Sequence, residues 1–186
     1  MNDLAKRYRP GGMAMLLAVL TILLTANPGG PAKAQDAWTK GANTASSGDF
    51  AIVQIATTDS AALQAEWAKP TPGVKLQTST QMTRNQAIET FIIFKGCGLD
   101  KAGNCNLTVQ YEVFNPAGKS LIRVPGMIWV DLPPPPDLQL QLSASSLGLT
   151  LDDGDPLGPY RIQARVTDHV AKVTLQTEQV LTAVAN

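Results

Sequence analysis

The residues able to do chemistry are few in this sequence, and they are scattered. His169 is the single histidine, next to Asp168 in the segment VTDHVAK. A Ser-His-Asp relay requires a serine hydroxyl held against the imidazole, and no G-x-S-x-G run occurs to present one. His169 therefore reads as a solvated turn residue. Hydrolysis by paired carboxylates requires two acids on the floor of a cleft. The acids here fall mainly in turns or at outward-facing strand positions such as Glu112. No Gly-rich loop leads into a helix as a phosphate cradle would. The chain is expected not to be an enzyme and to need no cofactor.

Three features remain. Asp152, Asp153 and Asp155 form the one acidic cluster. Calcium takes several oxygen ligands from such a loop. Asp side chains beside Gly154 also serve to cap and turn a loop, and no EF-hand pattern is present, so no metal is assigned. Cys97 and Cys105 enclose the turn-rich segment GLDKAGN. Without a histidine or further cysteine nearby, and without C-x-x-C spacing, the pair suits neither zinc nor redox work. In an oxidising compartment it reads as a disulfide across a hairpin, contributing on the order of 2–3 kcal/mol. Of the three tryptophans, Trp38 lies in a polar lead-in and Trp67 reads as a packing residue of a short helix. Trp129 precedes Val130, Asp131 and a proline run. An aromatic there either stacks on a sugar ring or anchors a protein partner, or else plugs the end of the core.

The elements that must position these residues begin after an export signal. Lys6, Arg7 and Arg9 precede the uncharged, largely apolar run from Met13 to Thr25, which a Pro/Gly-rich break follows. Ala32 and Ala34 occupy the −3 and −1 positions of a cleavage site, leaving Gln35 as the new N-terminus. Residues 1–34 are expected to be a signal peptide, the alternative being an uncleaved anchor. The apolar run is shorter than the roughly 20 residues that span a bilayer. No lipid-anchoring cysteine follows it, and Tyr8 separates Arg7 from Arg9. The location implied is periplasmic or secreted. Without residues 1–34, the 15 basic and 15 acidic residues fall to 11 and 14, a net charge of −3. A mildly acidic chain without a basic stripe is not expected to bind nucleic acid. No later segment is apolar enough to enter a membrane, so no span is expected after signal cleavage.

Composition suits one globular domain with extras: 186 residues, 44% hydrophobic and 16% charged. Residues 35–49 are rich in Ala, Ser, Thr and Gly and read as a flexible lead-in. Residues 50–73 read as a strand–helix prefix packing on the main domain. FAIVQIA, from Phe50 to Ala56, suits a strand. Thr58 or Asp59 can cap a helix to Lys69, with Leu63 and Trp67 on one face.

From residue 74 to 186 the hydrophobic period becomes two. Leu76 to Met82 reads as a polar strand, and Ile88 to Phe94 as a central strand apolar on both faces. Leu107, Val109, Tyr111 and Val113 alternate with polar residues, as do Tyr160, Ile162, Ala164 and Val166. Asn115-Pro116-Ala117-Gly118 is a turn. Pro125-Gly126 separates two strand-like runs, and Pro133–Pro136 forms a bridge unsuited to a central strand. Leu138, Leu140 and Leu142, then Leu147, Leu149 and Leu151, continue the alternation. The last strand runs from Val173 to about Val184. About seven short strands in this length imply a mainly β, antiparallel β-sandwich.

The segment Asp155-Pro-Leu-Gly158-Pro-Tyr160-Arg-Ile162 resembles the tyrosine corner of immunoglobulin-like and fibronectin type III-like domains. In that motif the Tyr hydroxyl bonds to backbone upstream. Ile162 stands where antibody-type domains carry their second cysteine, and Trp129 comes too late for their buried tryptophan. The resemblance is thus to a bacterial immunoglobulin-like sandwich. From Phe91 through Asn104-Cys105-Asn106, Asn115–Lys119, Trp129, Pro133–Pro136 and Tyr160–Asp168, the layout also resembles small exported bacterial proteins of unassigned function. That resemblance supplies no catalytic residues, and a fold alone does not specify a function.

The function these features imply is a non-enzymatic envelope interaction module, presenting loops or an edge strand to an envelope protein. The alternative is a ligand-binding module for carbohydrate or calcium, using Trp129 or the loop of Asp152, Asp153 and Asp155.

Overall fold

The computed structural model describes residues 41–69, 76–135 and 139–185. The export signal, with Ala34 and Gln35, and Trp38 lie outside them. Two sheets face each other, as the alternating strands imply. In the first, β1 (Thr44–Ser47), β2 (Phe50–Thr57) and β4 (Ile88–Lys95) lie side by side. The free edge of β4 takes both β7 (Gln141–Leu142) and β8 (Leu147–Leu149). In the second the order is β3 (Gln81–Thr83), β10 (Val173–Val184), β9 (Gly158–Asp168), β5 (Cys105–Phe114), β6 (Ser120–Leu132). All pairs are antiparallel except β3 with β10. The fold is the mainly β sandwich that the alternation predicts, consistent with the immunoglobulin-like layout that the tyrosine corner implies.

The strand count exceeds the expected seven because the edges are built from fragments. One strand-like run is cut at Ser143–Ser146, where the backbone leaves β4. Ala144 N–H donates to the Ile128 carbonyl at 3.0 Å, and Ser145 Oγ to the Met127 carbonyl at 2.6 Å. The bulge thereby ties the edge of sheet one to β6 of sheet two. Of the expected strand at Leu76–Met82 only Gln81 and Met82 pair, together with Thr83, along the outer side of β10. Conversely, β6 runs unbroken through Pro125-Gly126. Proline is tolerated there because an edge strand has a neighbour on one side only.

Two expectations for the N-terminal part need correction. Thr44–Ser47, assigned to a flexible lead-in, is a strand, because the turn at Gly48-Asp49 folds it back onto Phe50–Val53. Phe50–Thr57 is likewise no prefix on the sandwich. It pairs along its whole length with β4 and places Phe50, Ile52 and Ala56 in the core between the sheets. What sits outside is the helix α1 (Ser60–Trp67), capped by Asp59, whose carboxylate accepts from Ala62 N–H at 2.9 Å. Its Leu63 covers Ile55, Phe91, Ile93 and Leu142 on the outer face of sheet one. This is why IETFIIF is apolar on both sides: Ile88, Ile92 and Phe94 face the sandwich core, and Phe91 and Ile93 face the helix.

The main core is closed by Leu107, Val109, Tyr111 and Val113 of β5 and by Tyr160, Ile162, Ala164 and Val166 of β9. A polar cluster lies within it. Gln54 Nε2 donates to the Ile162 carbonyl at 3.2 Å and to Thr90 Oγ1 at 3.4 Å. Its Oε1 accepts from Thr177 Oγ1 at 2.9 Å. All of the Gln54 amide is thus satisfied across the two sheets, as a buried amide must be. The Tyr111 hydroxyl, also buried, has no hydrogen-bond partner among the described residues, and burial pushes its pKa well up.

Candidate functional site

At one end of the sandwich Tyr160 completes the predicted corner. Its hydroxyl donates to the Pro156 carbonyl at 2.9 Å, and its ring is fully buried. Burial, with a smaller contribution from the Asp155 carboxylate, raises its pKa. Gly158 permits the approach. Its φ is +123°, and a Cβ there would lie 3.3 Å from the Pro116 ring. The acidic loop sits at the same end, and two of its three carboxylates, those of Asp153 and Asp155, are engaged by a neighbour and by the loop itself. Asp155 Oδ2 accepts from Asp152 N–H at 2.8 Å, and Asp153 Oδ1 from Asn85 Nδ2 at 2.9 Å. Arg84 donates to the Asp155 carbonyl. Among the described residues no three His, Cys, Asp or Glu side chains are grouped so as to hold a metal ion.

The opposite end carries the cysteines. Cys97 and Cys105 are joined, with Cα atoms 5.8 Å apart, within the usual disulfide range. They do not close a hairpin, however. β4 ends in sheet one and β5 begins in sheet two, so the bonded loop is a crossover between sheets. The crossover is tight at its start: Gly96 has φ +70°, and a Cβ would fall 2.1 Å from the Asp49 carbonyl oxygen. Asp168, adjacent to the histidine, is fully buried against this loop. Its carboxylate accepts from Gly98 N–H at 2.6 Å and from Val170 and Ala171 N–H at 2.9 Å each. Asp168 thus caps the β9–β10 turn and anchors the disulfide loop. His169 is exposed, and its Nε2 contacts Thr108 Oγ1 at 2.8 Å. Neither residue meets a serine nucleophile.

Two surfaces remain open. The first is β6, whose apolar residues from Leu121 to Met127 are uncovered. Ile122 and Val124 pair with the buried Val113 and Tyr111, so they point to the inner side of sheet two, where sheet one does not reach them. Leu121 is exposed as well, and Met127 is 64% exposed. On the outer face of the same sheet, Glu112 accepts from Ser120 Oγ and Arg123 Nη2, both at 2.8 Å. These bonds hold its carboxyl below the usual range. Gln110, Gln163, Arg165 and Gln176 surround the pair in a shallow depression of about 100 Å³.

The second surface is a cleft of about 310 Å³ between the C-terminal turn of α1, the β7–β8 bulge and β6. Trp67 and Trp129 both line it, with Phe91 and Leu142, and with Gln64, Gln141, Ser143 and Ser146 among its polar groups. Trp129 packs at the margin of the core and also lines this cleft. Its ring meets Phe94 at 5.8 Å between centroids, tilted by 55°, and packs on the core. Its Nε1–H donates to the Pro133 carbonyl at 2.8 Å, and the rest of the side chain faces the cleft. Trp67 was legible only as a packing residue, because its position opposite Trp129 depends on where the helix sits. The exposed strip of β6 was equally hidden, since alternation alone does not distinguish an edge strand from a central one.

No family model matches the chain, and no curated protein matches it in sequence. Solved structures do resemble it in architecture. One is the CARDB domain of a Pyrococcus furiosus protein, determined in complex with di-metal ions. It is 18% identical, with a TM-score of 0.36, over 57% of this chain and 81% of that one. Another is a family 123 glycoside hydrolase from Clostridium perfringens, 10% identical with a TM-score of 0.41. The match takes in 73% of this chain but 27% of the hydrolase.

Proposed function

We propose that this chain is an exported, non-enzymatic envelope module that binds a protein partner along the open edge of β6. The observation that carries the reading is the exposure of Leu121, Ile122, Val124 and Met127 on one 13-residue edge strand. An open edge offers unpaired backbone groups, and apolar side chains beside it add the affinity that hydrogen bonds alone do not supply. The occupant is an extended segment of another protein rather than a second copy. A two-fold axis at Arg123 would set two guanidinium groups opposite each other. Any self-pairing would also bring in two proline gaps, one from each Pro125. Export rests on the basic start, the apolar run and the Ala32/Ala34 site ahead of Gln35, and the Cys97–Cys105 bond fits an oxidising compartment. Calcium is the weaker alternative, because the Asp153 and Asp155 carboxylates are already engaged.

The test is in-cell photocrosslinking from position 127, with the exposed position 174 of β10 as the control. A single dominant envelope protein captured from 127 and not from 174 is the expected result. Identical background capture from both positions would remove the reading.

A further inference from the structure

The cleft between α1 and β6 is not accounted for by a partner strand on β6. We infer that it is a binding site for an uncharged saccharide of one or two rings. Its volume, about 310 Å³, lies at the lower end of the roughly 300–1,000 Å³ typical of small-molecule sites. The lining decides the ligand class. Two tryptophans supply flat apolar faces, and the other groups are amides and hydroxyls. A pyranose has that dual character, with C–H faces that stack on aromatic rings and a rim of hydroxyls that hydrogen-bond. Among the described residues that line the cleft no side chain is charged, so none of them offers a phosphate or carboxylate an ionic partner. A purely apolar ligand is disfavoured too, since it would strip water from Gln64, Gln141 and Ser146 without replacing its bonds.

The walls differ in how firmly they are held. Trp129 is fixed by its Phe94 contact and its bond to Pro133. Ser146 is fixed by its bond to Glu89, which also binds Ser60 of the helix. Ser143 is tied into the bulge, accepting from Ile92 N–H at 3.1 Å and donating to the Ser145 carbonyl at 2.7 Å. Gln64 is exposed and makes no side-chain bond among the described residues, so its amide is available. Trp129 is the preformed platform, and Trp67 with Gln64 forms the wall that grips.

The test is titration of the exported protein with N,N′-diacetylchitobiose, cellobiose and maltose, followed by tryptophan fluorescence and indole N–H NMR shifts. At least one disaccharide is expected to give a saturable change. Trp67→Ala should weaken that response about tenfold, as loss of one stacking face would. Gln64→Ala should weaken it less. Circular dichroism and thermal melting establish that each variant is folded, and Gln64→Ala, at an exposed helix position, keeps the test open if Trp67→Ala is not. Met127→Lys, on the edge strand, should leave the response unchanged, which separates this site from the partner surface. No response to any of the three sugars would overturn the inference. So would a response unaffected by either cleft substitution.

Discussion

Strands β9 and β6 belong to the same sheet, have similar lengths and both carry branched apolar residues, yet they behave as opposites. β9 lies between β10 and β5, and every second side chain from Tyr160 to Val166 is buried. β6 has β5 on one side, while its other side meets the β7–β8 bulge only at Met127 and Ile128 and is open from Leu121 to Val124. Of its apolar residues only Ile128 is fully buried. A residue's contribution to stability therefore follows from its neighbours rather than its type. From Leu121 to Val124 the same residue types contribute little to the core.

Substitution at matched residues should show this contrast most strongly. Ile162→Ala in β9 should cost about 2–5 kcal/mol in chemical denaturation, through the cavity it leaves. Ile122→Ala in β6 should cost under about 1 kcal/mol. Equal losses would mean that β6 is covered in solution. The disulfide comes next. Replacing both Cys97 and Cys105 with Ala should cost about 2–3 kcal/mol, measured against the oxidised protein. Local hydrogen exchange should rise at Gly98 and at the β9–β10 turn, which share Asp168, and stay unchanged along β6.

The two buried tyrosines should separate by about 1–2 kcal/mol. Tyr160→Phe removes the bond to Pro156 and should destabilise by about 1 kcal/mol, whereas Tyr111→Phe removes an unpartnered hydroxyl and should be neutral or slightly stabilising. Both phenols also make stability depend on alkaline pH. Burial raises the folded pKa of each above the ordinary value near 10. The contribution from keeping them protonated is complete below about pH 10 and is lost as pH rises through the folded values, because only the unfolded chain has then released the protons. Denaturation midpoints should fall above pH 10, and less steeply in Tyr111→Phe. The smallest stability effect belongs to the edge. Met127→Lys should shift stability by no more than about 0.5 kcal/mol while abolishing partner capture by a photocrosslinker moved to position 124.

Much of this architecture was legible before any coordinates. Alternation in β5 and β9 marks strands with one buried face, Asp59 marks the helix start, and Gly158 two residues before Tyr160 marks the corner. These signals are local, set by the residue and its immediate neighbours. What escaped notice depends on distant partners. Thr44–Ser47 has too little hydrophobicity to announce a strand and becomes one because Phe50–Val53 folds against it. Pro125 looks like a break and is none, because its strand is at an edge. The cysteine loop looks like a hairpin, yet its flanking strands join different sheets. In the cleft, Trp129 stood out from the sequence, but Gln64 and Trp67 became relevant only once the helix was placed over sheet one.

The buried Gln54 amide has a consequence for the order of assembly. Its partners Ile162 and Thr177 lie 108 and 123 residues further along the chain, on the last two long strands. Until those strands dock, the amide has to remain hydrated, so it cannot help start the fold. A nascent sandwich whose second sheet is stacked a step out of place leaves that amide dry and unbonded, and is rejected. Gln54 thus favours a single stacking of the two sheets over any neighbouring one.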